Sequence, residues 1–170
     1  MRTAAPTSAP RGFTLVELLL VVVILGIISA IVAPMLRSQR LQAVTSTLRA
    51  NVAQVVMVLE VQKQKQLDGS YPPALDPTWF VEDVLPAHPE KLAGVPSVQT
   101  VHLPGVLHPA DKVLHPGVPG AYWYNSAEGV FRARVKPQES DADTLAFYNA
   151  VNDCAEVDLT GSAGAGPAGP

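Results

Sequence analysis

An α+β fold is predicted: a long N-terminal helix, transmembrane in its first half, packed on a small C-terminal antiparallel β-sheet head with a proline-rich loop. Three observations predict it. Residues 13–36 are an apolar run in which Glu17 is the single charge. Leu41, Val44, Leu48, Val52, Val55 and Leu59 then follow at spacings of 3, 4, 4, 3 and 4, the period of an amphipathic helix. Further on, two aromatic or β-branched runs, Ala121–Asn125 and Val130–Val135, flank a glycine-containing loop and read as a hairpin.

The apolar run would be about 36 Å long as a helix, enough to cross a hydrocarbon core of about 30 Å. Its β-branched residues are mediocre helix formers in water, but lipid offers an unpaired backbone no other partner and enforces the helix. The run is longer than the h-region of a secretory signal, and residues 29–33 offer no small-x-small cleavage pair. A plain anchor does not explain Glu17. An acid at mid-bilayer costs up to about 2.5–3.5 kcal/mol, less near the interface, so either Glu17 reaches the headgroups or it has a functional partner.

Charge is unevenly distributed over the 170 residues, whose net charge is −3. Residues 37–66 carry five basic residues against Glu60, whereas residues 67–170 carry 13 acids against five bases. No basic cluster has the interleaved aromatics of a nucleic-acid surface, so no nucleic-acid partner is expected. The single cysteine, Cys154, excludes an intramolecular disulfide and reads as a small buried apolar side chain.

Arg11-Gly12-Phe13-Thr14-Leu15-Val16-Glu17 at the head of the apolar run resembles the class III signal of type IV prepilins and of type II secretion pseudopilins. The resemblance covers about 25 residues and implies several things. A prepilin peptidase cuts between Gly12 and Phe13, the new amine of Phe13 is N-methylated, and the apolar helix is kept. Glu17 pairs with the Phe13 ammonium of a neighbouring subunit, a matched pair being far less costly than a lone charge in low dielectric. Gly26 and Pro34 fit the family's helix break on packing into filaments, although an ordinary kink is an equal reading of those two residues. The implied protein is a single-pass inner-membrane chain with a periplasmic head, a structural pseudopilus subunit rather than an enzyme. It is closest to the major pseudopilin. Its partners would be other copies of itself, other pseudopilins, the prepilin peptidase, an inner-membrane assembly platform and lipid. A type IV pilin or a competence pseudopilin is the alternative, and a membrane-tethered enzyme a more remote one.

The division expected is a cleaved leader over 1–12, a transmembrane half-helix over 13–36, an amphipathic stem over 37–66, a head over 67–160 and a disordered Gly/Ala/Pro tail over 161–170. Asp68-Gly69 ends the stem, and Asp68-Gly69-Ser70-Tyr71-Pro72 resembles the stem exit of major pseudopilins. Ten prolines between Pro72 and Pro119 predict an ordered loop, which Trp79, Phe80, Val84 and Leu85 would tuck against the stem. A strand over 98–103 would join the hairpin, whose second run has an apolar face (Phe131, Ala133, Val135) and a charged one (Arg132, Arg134). A short helix is expected from Asp143 to Asn149.

His88, His102, His108 and His115 lie at or near prolines, without helical pairing or a cysteine partner, and read as surface loop residues. The resemblance to major pseudopilins implies a calcium site in the C-terminal loops, for which Asp141, Asp143 and Asp153 are the candidates, with Glu139 and Asp158 near them. The family's Trp-Gly-Asn-Pro-Tyr pattern is missing, which favours solvated acids and no cofactor. A basic stem face stacking on an acidic head, through Arg40 and Arg49, is a further expectation.

Overall fold

The computed structural model describes residues 14–160, so Gly12 and Phe13 and the tail lie outside the described residues. The chain divides after Leu41 into two compact units. In the first, residues 15–41 belong to α1 (Leu15–Lys65), and the side chains described there are solvent-exposed. Within this stretch lies an apolar segment long enough to cross a membrane. In the single chain α1 runs unbroken through Gly26 and Pro34.

The second unit begins with the rest of α1. Leu48, Val52, Val55 and Leu59 form its buried stripe, as their spacing predicts, and each such side chain contributes about 1.5–3 kcal/mol. Helix termination is local chemistry. Gly69 takes φ 67°, its N–H donates to the Gln66 carbonyl, and the Asp68 carboxylate accepts from both the N–H and the hydroxyl of Ser70. Those Ser70 bonds hold the Asp68 carboxyl below its ordinary pKa.

Three strands form the sheet: β1 (Val98–Val101), β2 (Tyr122–Asn125) and β3 (Val130–Ala133), in the order β1-β2-β3. β2 and β3 are the predicted hairpin, with Tyr124 opposite Phe131 and Tyr122 opposite Ala133. The sheet is not purely antiparallel, however, because β1 pairs with β2 in parallel, Val98 facing Tyr122 and Val101 facing Asn125. Parallel pairing needs a long return connection, and residues 102–121 supply it. Tyr122, Tyr124, Phe131 and Ala133 join the stem stripe in one core, together with Phe147, Tyr148 and Val151 of α2 (Asp141–Asn152). α2 is longer than expected at both ends. It starts two residues earlier because the Ser140 hydroxyl accepts from the Asp143 N–H as N-cap, and it runs to Asn152, where Asp153 caps it in a left-handed conformation.

Proline-rich residues 72–96 do pack on this core through Phe80, which is buried, and through half-buried Trp79 and Leu85. Val84 does not; it is exposed beyond Glu82 and Asp83, two residues with positive φ that turn it outward. The β2–β3 turn is fixed by a close approach. Gly129 has φ 68°, and a Cβ on it would strike the ring of Tyr71. Tyr71 cannot easily withdraw, since its hydroxyl donates to Glu60 at 2.6 Å and Lys63 lies 4.3 Å over its ring. Gly129→Ala is therefore expected to cost about 2–3 kcal/mol from left-handed strain and the clash together. A thermal melt of the full chain in detergent, followed by near-UV circular dichroism, checks this; an unchanged midpoint would refute it.

Candidate processing and assembly site

Helix α1 begins at Leu15 with a capping box that sequence reasoning missed. Thr14 is the N-cap and Glu17 the third helical residue. The Glu17 N–H donates to the Thr14 hydroxyl at 3.2 Å. In return the Thr14 N–H and hydroxyl donate to Glu17 Oε2 at 3.1 and 3.2 Å. Thr-x-x-Glu ahead of an apolar run is the sequence signature of this box, so the signal was legible at residues 14–17. A carboxylate at the first turn also faces the positive end of the helix dipole. Glu17 thus has a role within one chain, and the box consumes only one of its two carboxylate oxygens.

Around this box the apolar side chains are uncovered: Leu15, Val16, Leu18, Leu19 and Leu20 are each more than half exposed. The other large apolar residues described from Val21 to Leu36 are exposed as well, between 41% at Val32 and 67% at Ile31. Such a surface is not stable in water, and lipid or other apolar helices must cover it.

The remaining residues expected to matter lie apart from this one. Asp141 and Asp143 sit in the first turn of α2 and Asp153 caps its other end, so the helix of 12 residues, about 18 Å, separates them. Calcium ligands must converge within about 2.6 Å of one point. The Asp153 carboxylate is moreover held by Arg49 at 2.6 Å, and Asp143 by the Ser140 hydroxyl at 2.6 Å. The three acids do not form one cation site, and among the described residues no three His, Cys, Asp or Glu side chains gather as a metal cluster would. The same ion pair occupies Arg49 within its own chain, which removes it from the expected basic stem face.

Two of the four histidines are not surface residues. His88 is buried, donating from Nε2 to the Arg134 carbonyl at 2.9 Å and accepting at Nδ1 from the Glu90 N–H, and burial lowers its pKa. His108 is pushed down to about 4, first by burial and then by the positive charge of Arg132, and is neutral at pH 7. His102 and His115 are exposed as expected; His115 is raised by its bonds to the Pro116 carbonyl and to Asp111 at 2.6 Å. Arg134, expected on the charged face of the second run, is buried as well. Its three donors reach the Asp111 carbonyl at 2.8 Å, the Gly120 carbonyl at 2.5 Å and Gln99 Oε1 at 2.6 Å.

An acid closing the first turn of an exposed, membrane-length apolar helix, directly after Gly12-Phe13, is the layout of a prepilin-type signal and supports a pilin- or pseudopilin-type chain. Residues 8–33 match the family described as the prokaryotic N-terminal methylation motif. That match spans the signal and most of the apolar segment and leaves the head untouched. No curated protein and no solved structure matches the chain.

Proposed function

We propose that this chain is a structural subunit of a type II secretion pseudopilus, cut after Gly12 by a prepilin peptidase, N-methylated at Phe13 and polymerised through its N-terminal helix. The observation that carries this reading is Glu17 inside the uncovered apolar helix, five residues beyond the scissile Gly12. Cleavage creates an ammonium at Phe13, a cation of the right sign and depth to answer that acid in an adjacent copy. One oxygen of Glu17 keeps the capping box while the other is available for the neighbour's amine, so pairing need not unwind the helix start.

Before assembly the helix lies in the inner membrane and the head in the periplasm; an inner-membrane platform then draws the subunit into the fibre beside other pseudopilins. The single cysteine favours a pseudopilin over those pilins that close a C-terminal loop with a disulfide. Intact-mass analysis of membrane-extracted protein tests the processing step. The expected species starts at Phe13 and carries one added methyl group, and disappears in cells lacking the peptidase. A chain starting at Met1 in cells with active peptidase would overturn the proposal.

A further inference from the structure

Lys112 lies between β1 and β2, on a loop pinned by isolated bridges from Asp111 to Thr160 and from Val113 to Val135. Its side chain is completely buried, and its Nζ makes no hydrogen bond. Two carboxylates are within ion-pair distance of that ammonium: Glu156 Oε2 at 3.2 Å and Asp158 Oδ1 at 3.6 Å. Both belong to residues 153–160, the segment that leaves the end of α2. Other titratable or charged groups around the seat are His108 on the same loop, Arg132 on β3, Tyr148 on α2 and Cys154 on the segment itself. None of these supplies a balancing negative charge at pH 7: His108 is neutral, and burial pushes the Tyr148 hydroxyl and the Cys154 thiol up.

The segment has little else to seat it. No residue from 153 to 160 is buried. Asn149 clips its start, accepting from the Glu156 N–H at 3.0 Å and donating to the Glu156 carbonyl at 2.9 Å. Arg49 also holds Asp153 at 2.6 Å, and beyond the Asn149 clip the two ion pairs to Lys112, His108 Nε2 beside Glu156 Oε1 at 3.3 Å and the bridge at Thr160 hold it. We infer that residues 153–160 are a charge-fastened strap, which Glu156 and Asp158 close over the buried ammonium of Lys112 and which opens when those two carboxylates are neutralised.

The physical reason is an asymmetry between the partners. Glu156 and Asp158 keep side-chain exposures of 27% and 49%, so water can hydrate them in place if Lys112 is removed. Lys112 has no such recourse. With its carboxylates neutralised it is an isolated buried charge, and opening the strap is the way water reaches it. The lysine therefore drives opening rather than merely resisting it. An open strap uncovers the Cys154 thiol and the polar pocket of His108 and Arg132.

Cys154, the chain's single cysteine, reports the state of the strap. The rate of its modification by a maleimide is measured on the full-length protein in detergent micelles at fixed pH. The double variant Glu156→Gln/Asp158→Asn is expected to react roughly tenfold faster than the parent or more, because it strands the buried charge. Lys112→Met is expected to stay within about threefold of the parent, since it replaces a buried ion by an apolar side chain of similar length. The triple variant is expected to return to within about threefold as well, the signature of coupling through one group. An unchanged rate in the double variant overturns the proposal. So does a triple variant as fast as the double, or Lys112→Met as fast as the double. Hydrogen exchange separates local from global opening: β2 amides stay protected in the double variant if only the strap moves, and their exposure would also refute it.

Discussion

Glu17→Gln is expected to leave membrane insertion, cleavage and the start of α1 intact while lowering filament yield by roughly tenfold or more. The substitution separates the capping role of the carboxylate from its proposed pairing with Phe13. A glutamine at the third helical position still accepts from the Thr14 N–H, so the capping box survives. What it cannot do is answer an ammonium within the bilayer. An uncompensated charge there costs several kcal/mol, and each 1.4 kcal/mol is a factor of ten in association. Glu17→Leu should lose the same charge pair and the carboxylate's half of the capping box besides, loosening the first turn. Immunoblots of membrane and sheared-filament fractions, with intact mass on the membrane pool, distinguish these outcomes. Filaments at the parental level in the glutamine variant would show that the pair with Phe13 does not drive assembly.

Arg134→Ala is expected to have the largest effect on the head, a loss of about 3–5 kcal/mol. The guanidinium is 2% exposed and joins three separate pieces of chain: β1 through Gln99, the loop before β2 through Gly120, and the bridge segment through Asp111. Burial lowers its pKa and the Asp111 carboxylate raises it, so the group stays charged. Removing it orphans two backbone carbonyls and one amide oxygen inside the fold and leaves a cavity. Gln99→Ala removes one of these bonds and should cost about 1 kcal/mol. Chemical denaturation of the full chain in detergent, monitored by the fluorescence of buried Trp123, checks the ordering. Equal midpoints for Arg134→Ala and the parent would refute the clamp.

Arg134 also shows where reading by pattern stops. In the run from Val130 to Val135 alternation assigns Arg132 and Arg134 to one face and Phe131, Ala133 and Val135 to the other, and that face assignment is correct. Alternation does not tell whether the second face meets water. Here the loop from 102 to 121 covers it, bringing backbone carbonyls that a guanidinium can satisfy. His88 is buried too, against the carbonyl of Arg134 and the ring of Tyr122. The parallel pairing of β1 with β2 was equally hidden, because strand direction depends on the path of that loop and not on the composition of either strand.

The stem stripe, the Asp68-Gly69 stop, the hairpin and the signal at residues 11–17 were determined by the sequence alone. Each rests on interactions between residues a few positions apart: helical spacing, a turn residue with positive φ, a side chain capping its own helix. The tertiary structure alone decided that Arg49 meets Asp153, that the acids at the two ends of α2 stay apart, and that Lys112 is sealed beneath Glu156 and Asp158. Those contacts join residues tens of positions apart, and the free energy of burying or pairing a charge depends on which distant group arrives beside it.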